Sequence, residues 1–281
     1  MTQKKKIKYD FNFILFIRFY HNHLRSILFS FSYFIFHISY FGYAQDMPMR
    51  VRDTSIFTSL IAASYSYQIP SGNLADRFGN NSNIGLQFLI KTKKNLLYGM
   101  DGSFLFGNKI KEKNLFKNIA TKPNVDSSFI ISQSGEPAEI RLFERGWMGS
   151  LKFGKLFPYF NPNDNSGFVI FASVGLLQHK IRIENPNNNT PQILKEYKKG
   201  YDRLTNGIGV SEFVGYVYLS NSRLINFFGG FEFTQAFTQS RRFDFDKMKK
   251  DDTKRKDYLS GIRIGWILPL YKKMPKEFYY N

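Results

Sequence analysis

The chain of 281 residues contains no cysteine and only four histidines. Without cysteine it has no disulfide, no thiolate metal site, no cysteine nucleophile and no lipoprotein anchor through such a residue. Three of the histidines, His21, His23 and His37, lie within the first 40 residues. Downstream of them His179 stands alone, so a histidine-rich metal site is excluded there and no cofactor is expected.

The common catalytic motifs are also missing. The sequence contains no Gly-x-Ser-x-Gly elbow, no phosphate-binding P-loop and no His-Glu-x-x-His metal motif. His179 could act in a hydrolytic triad only with serine and aspartate partners from other loops. We therefore expect no catalytic residue and interpret His179 as an interfacial or interior histidine.

The amino-terminal 44 residues read as a signal peptide. A basic stretch, 4–8, precedes an apolar run at 27–41, and Gly42 and Ala44 suit the small-residue rule for cleavage before Gln45. The run is shorter than the roughly 20 residues of a membrane-spanning helix. A second apolar patch at 11–20 leaves a retained inner-membrane anchor or a misassigned start codon as alternatives.

The rest of the chain alternates apolar with small or polar residues in about eight short segments. In the last one, Ile262, Ile264 and Trp266 fall on one face, while Gly261, Arg263 and Gly265 fall on the other. A period of two places successive side chains on opposite faces of a strand. The eight segments are 60–69, 83–91, 96–107, 146–153, 168–183, 207–219, 224–237 and 258–271.

These segments predict an all-β fold, a transmembrane antiparallel up-and-down β-barrel of eight strands. The 31 phenylalanines and 17 tyrosines suit a lipid-facing band with aromatic girdles. A soluble β-sandwich shows the same alternation but does not readily explain outward aromatic faces opposed by glycine and serine. We expect the protein in the outer membrane of a Gram-negative bacterium.

Connection lengths predict the layout and the orientation. We expect a periplasmic stretch at 45–59, the barrel at 60–271 and a periplasmic tail at 272–281. Long extracellular loops are expected at 108–144, 184–206 and 238–257, because bacterial barrels keep short turns in the periplasm. Glu212 interrupts the apolar face of its strand, which a bulge or a position near the outer rim would explain.

The charge is strongly basic, at +18 overall and +13 for residues 45–281. The cations concentrate in loop-like stretches, and no nucleic-acid motif accompanies them. We expect these loops to face solvent, outer-membrane lipid and lipopolysaccharide, with no nucleic-acid partner.

Four charged residues fall on the inward faces of the predicted strands: Asp101, Lys152, Glu232 and Arg263. An eight-stranded barrel closes around an interior that side chains just fill. Buried charges in such a lumen must pair, because stranding one costs about 3–5 kcal/mol. We predict a structural lumen network of these residues, completed by Ser103, Ser150 and Asn226.

Five blocks of the sequence are similar to those of a known group of proteins: 43–46, 68–79, 88–93, 145–147 and 265–271. On these blocks it resembles the small outer-membrane β-barrel proteins of the Bacteroidetes, although the lysine-containing tail after the last strand departs from the usual barrel ending. The resemblance implies a non-enzymatic barrel, and several such proteins are accessory subunits of outer-membrane protein assembly or type IX secretion.

Three functions remain open at this point. The first is a structural or accessory barrel that contacts other envelope proteins through its loops and tail. The second is a small diffusion channel, and the third is a lipid-modifying enzyme that uses His179.

Overall fold

Eight strands form a closed antiparallel barrel in this computed structural model, which describes residues 55–113, 115–121, 129–159, 163–220 and 225–270. The predicted signal peptide, most of the stretch 45–59, Tyr271 and the tail 272–281 lie outside the described residues. The barrel strands are β1 Thr58–Gly72, β2 Asn81–Lys91, β3 Leu96–Gly107, β4 Arg141–Phe157, β5 Gly167–Glu184, β6 Thr205–Leu219, β7 Asn226–Ser240 and β10 Lys254–Leu270.

Each strand pairs with its neighbour along the chain, and β1 closes the barrel against β10. The remaining elements lie in the connections. They are a short helix α1, Asn73–Arg77, two 3₁₀ turns at Pro191–Ile193 and Lys195–Gly200, and a hairpin of β8 Phe243–Asp244 with β9 Lys249–Lys250. No helix in the described part of the chain is long and apolar enough to cross a membrane.

Burial alternates along every barrel strand, which confirms the predicted fold class. Large apolar side chains point outward, such as Leu86, Leu151 and Phe231, each more than 60% exposed. Only a closed barrel satisfies the backbone hydrogen bonds of strands that cross lipid. The apolar exterior therefore faces the hydrocarbon region of a bilayer.

The strands extend further than the alternation predicts. The first continues through Pro70 to Gly72, beyond the predicted segment 60–69, and β4 begins at Arg141, inside the predicted loop 108–144. Pro70 is tolerated because β1 pairs with β2 only as far as Gln68, so this end of β1 has a neighbour on one side only. The loop predicted at 238–257 is likewise shorter, because β7 runs to Ser240 and β10 starts at Lys254.

The two ends of the barrel differ. We call the end with the connections 92–95, 158–166 and 220–225 the turn end. The opposite end, which has the three longest connections, is the loop end. One apolar cluster fills the lumen near the turn end, and a second runs from the lumen into the loops at the loop end. A polar layer separates the two.

Candidate functional site

The polar layer of the lumen is built around Arg263. Its Nη2 lies 2.8 Å from Oε2 of Glu232, and its Nη1 lies 3.3 Å from Oδ2 of Asp101. The Nζ of Lys152 lies 3.6 Å from the same Asp101 oxygen. The structure thus brings together all four charged residues that the sequence places in the lumen, two cations and two anions, each at most 7% exposed.

This network joins opposite walls of the barrel. Glu232 is on β7 and Asp101 on β3, which are four strands apart around the barrel, and Arg263 on β10 reaches both. Its Nη1 also donates to Oγ of Ser64 at 3.2 Å. Because a guanidinium presents its donors in a fixed fork, one side chain can hold several acceptors across the lumen.

The three residues expected to complete the network are placed differently. Ser150 is the register neighbour of Asp101, while Ser103 accepts a hydrogen bond from Asn83 at 3.1 Å. Asn226 does not join the network: it lies at the turn end and accepts a hydrogen bond from the backbone N–H of Ser220 at 2.8 Å. Asn226 is the first residue of β7 and lies too far along the strand from Glu232 to reach the network. The alternation of inward and outward residues shows the face of a strand but not the position along it.

An apolar layer closes the lumen on the turn-end side of the network. The rings of Phe171, Phe213 and Phe228 meet there, with centroid separations of 6.2 and 5.8 Å. The cavity between this layer and the network has a volume of about 20 Å³. That is space for about one water molecule, so side chains nearly fill this cavity.

A buried lysine fastens the turn end, although no sequence pattern indicated it. Lys91, the last residue of β2, is fully buried. Its Nζ donates to Oδ1 of Asn165 at 2.8 Å, to Oγ of Ser55 at 3.0 Å and to the carbonyl of Ile56 at 3.3 Å. The lysine ties the segment before β1 and the β4–β5 connection to the barrel.

His179 is buried in the lumen near the loop end. Its Nε2 lies 3.0 Å from Oδ2 of Asp257, and the hydroxyl of Thr238 donates to that same oxygen at 2.5 Å. The hydroxyl and the histidine therefore share the carboxylate, whereas a triad needs the histidine between the two. Among the described residues, no cluster of three or more histidine and acidic side chains could hold a metal ion.

The described parts of the long connections at the loop end pack into a folded cap. It is formed by α1, residues 108–113, 115–121 and 129–140 of the β3–β4 connection, the β5–β6 connection and the β8–β9 hairpin. Phe116 and Tyr201 have ring centroids 5.4 Å apart, and Tyr201 meets Phe245 at the same separation. Leu74 and Phe78 are fully buried beneath them. The cap therefore has an apolar core of its own, continuous with the lumen.

Acidic and basic side chains of the cap also contact one another. Arg203 binds Asp244 and Asp246, the latter with Nη2 2.7 Å from Oδ2, and Arg255 pairs with Asp251. Burial raises the pKa of Asp246 to about 6 against the pull of Arg203. Burial also acts on Asp251, but hydrogen bonds from Arg255, Thr253 and Lys247 outweigh it and hold its pKa below the ordinary range.

Among the described residues, one acid lies on the surface that faces the hydrocarbon region. Glu212 is exposed at the middle of β6, opposite Ala172 on β5 and Phe233 on β7. The pairing runs through it without a bulge, and it is not near the rim, so both explanations offered from the sequence are wrong. The cost of an acid at this depth is smaller than that of a lysine or arginine, which helps the barrel tolerate it.

The closed barrel, its filled lumen and its apolar exterior decide the class of protein. The chain is an integral β-barrel of the Gram-negative outer membrane. No protein-family model matches the sequence, and no curated protein matches it.

Solved structures of outer-membrane barrels resemble it at low similarity. Neisserial surface protein A is 11% identical with a TM-score of 0.39, over 75% of this chain and 96% of that one. A major outer membrane protein from Thermus thermophilus is 9% identical with a TM-score of 0.40, over 75% and 99%. OprG from Pseudomonas aeruginosa is 9% identical with a TM-score of 0.36, over 78% and 98%.

Proposed function

We propose that this protein is a non-enzymatic interaction barrel, an accessory subunit that contacts another envelope protein through its extracellular cap. The observation that carries the proposal is the contrast between the two parts of the molecule. The lumen is filled by an ion-pair network and an aromatic layer, whereas the loops fold into a packed cap. A filled lumen supports a role for the surface of the protein rather than conduction through the barrel.

The cap presents apolar side chains to solvent. Tyr197, Met248 and Phe243 are 61, 69 and 47% exposed, although apolar side chains fill the core beneath them. Aromatic residues and methionine are enriched at protein interfaces. These three residues form the proposed contact surface, with the tail 272–281 as a second, periplasmic contact.

The resemblance of the sequence to the small Bacteroidetes barrels is the basis on which we propose the kind of partner. Accessory barrels of that group serve outer-membrane protein assembly or type IX secretion, and we propose a machine of this type. The buried placement of His179 and its shared carboxylate support the non-enzymatic assignment over a lipid-modifying enzyme.

Affinity purification from native membranes tests the proposal. We expect the tagged barrel to recover a defined set of envelope proteins, and the double variant Tyr197→Asp/Met248→Asp to lose them. The control is Lys250→Ser/Asp252→Ser, which removes an exposed ion pair of the same loop and should retain the partners. Recovery of the barrel alone, or equal loss in both variants, would refute a cap interface.

A further inference from the structure

Two cations lie side by side on the outward face of the barrel near the loop end. Arg145 on β4 and Lys180 on β5 are direct register partners. Like charges placed opposite each other destabilise a sheet, so this pair carries a cost that the barrel itself does not offset.

Neighbouring cations on the same two strands are neutralised. Arg141 lies 2.6 Å from Glu139, and Arg182 lies 2.7 Å from Glu184. None of the ion pairs between described residues includes Arg145 or Lys180. Asp202 is the acid whose field reaches Lys180, but its carboxylate is bound to Arg242 and to the backbone N–H of Leu204.

Arg145 is also held in place. Its Nη1 donates to the carbonyl of Glu144 at 2.7 Å, and its guanidinium lies 5.0 Å from the centroid of the Phe143 ring. These contacts fix the side chain. The carboxylate whose field reaches it, that of Glu144, is buried and accepts hydrogen bonds from Asn81. A preorganised guanidinium beside a lysine suits a phosphate, to which arginine can donate two hydrogen bonds.

The depth of the pair in the membrane indicates where such a phosphate would come from. One row toward the turn end, Trp147 lies opposite Gln178, and below them Leu151, Val174 and Leu176 are all more than half exposed. Tryptophan marks the boundary between headgroups and hydrocarbon. Arg145 and Lys180 therefore lie at the level of the lipid headgroups at the loop end, which the sequence predicts to be the extracellular side.

We propose that Arg145 and Lys180 form a binding site for the phosphate monoester of an outer-leaflet glycolipid. The phosphate lies between the two cations and cancels their repulsion. Acyl chains of the same lipid lie along the apolar surface below Trp147. This site is separate from the proposed protein contact at the cap.

The two tryptophans of the chain allow a direct test. Trp147 belongs to the site, whereas Trp266 lies near the turn end of β10, so the variant Trp266→Phe leaves a single reporter. The full-length protein in detergent micelles is titrated with phosphorylated lipid A, with lipid A lacking its phosphates and with inorganic phosphate. We expect phosphorylated lipid A to change the Trp147 fluorescence, with at least tenfold weaker binding for dephosphorylated lipid A.

Variants that remove positive charge distinguish binding at this site from non-specific electrostatic attraction of the lipid to the protein. Arg145→Gln/Lys180→Gln and the single variant Lys180→Gln should weaken binding of phosphorylated lipid A, the double variant at least tenfold. The matched variant Arg141→Gln/Arg182→Gln removes the same charge from the same strands and should change it less than threefold. Heat resistance of the folded band on a gel verifies that each variant forms its barrel.

Three results would overturn the proposal. Equal binding of dephosphorylated lipid A means that the surface recognises acyl chains only. Inorganic phosphate that competes at the concentration of the lipid means a site for free phosphate. An equal loss in the two double variants means that net charge, and not this pair, attracts the lipid.

Discussion

At the scale of single residues, Arg263 is the centre of the ion-pair network in the lumen. It is 1% exposed and bridges Glu232 and Asp101 from opposite walls. The sequence predicts these partners because inward-facing charges in a narrow lumen have only each other. It does not predict Lys91, because a lysine at the end of a strand ordinarily reaches solvent, and only the folded β4–β5 connection brings Asn165 over it.

The variant Glu232→Ala should destabilise the folded barrel by about 3–5 kcal/mol, because it leaves Arg263 buried with one carboxylate fewer. Urea unfolding in detergent, followed by the heat-resistant band on a gel, measures this change. Glu184→Ala removes an exposed partner of Arg182 and should cost less than about 1 kcal/mol. Equal stability of the Glu232 and Glu184 variants would reject a structural role for the network.

For Glu212 we predict that a substitution increases the stability of the barrel. Replacing Glu212 with leucine should stabilise the barrel in lipid vesicles by about 1 kcal/mol, since no carboxylate then has to lose water in the bilayer. The control is Val214→Leu, an apolar exchange at the next outward position of the same strand, which should change stability by less than about 0.5 kcal/mol. A destabilised Glu212→Leu barrel would show that the acid has a partner in the membrane.

Strands and connections differ in how far the sequence predicts them. All eight strands follow from a period of two, because each faces lipid on one side and a packed lumen on the other. Their ends do not follow, since β1 passes through Pro70 where one neighbouring strand has already ended. The cap was expected only as long loops, because its core joins residues that are distant in sequence, such as Phe116, Tyr201 and Phe245.

The cap should loosen as pH rises. Burial raises the pKa of Asp246 from 3.8 to about 6, so its contribution to stability is full below pH 4 and lost as pH rises through 6. Asp202, whose pKa burial also raises, acts in the same direction, and Asp251, with a lowered pKa, stays ionised over this range. The opening free energy of the cap should fall on the order of 1–3 kcal/mol between pH 4 and pH 8.

Hydrogen exchange of the β8–β9 hairpin at several pH values, corrected for the intrinsic exchange rate, measures this opening. Asp246→Asn should flatten most of the pH dependence, because the amide cannot ionise and still faces Arg203. A hairpin that opens equally at pH 4 and pH 8, or an unchanged slope in the variant, would contradict the assignment.

At the scale of the whole barrel, the described residues form a closed cylinder filled by side chains, with the cap at its loop end. The strand count already indicates a lumen that side chains fill. The structure adds the order of its layers, in which the aromatic layer of Phe171, Phe213 and Phe228 lies below the ion-pair network and the cap lies above it. The sequence does not predict which apolar side chains contact one another in the lumen, because similar apolar residues occur on the inward faces of many strands.

Single-channel recording in a planar bilayer tests the closed barrel most directly. With the purified full-length protein inserted, we predict no conductance above the bare membrane. The Phe171→Ala/Phe213→Ala/Phe228→Ala variant, whose aromatic layer is removed, should leak more than the native barrel. Steady conductance of the native protein would contradict a filled lumen and with it a protein that acts through its surface.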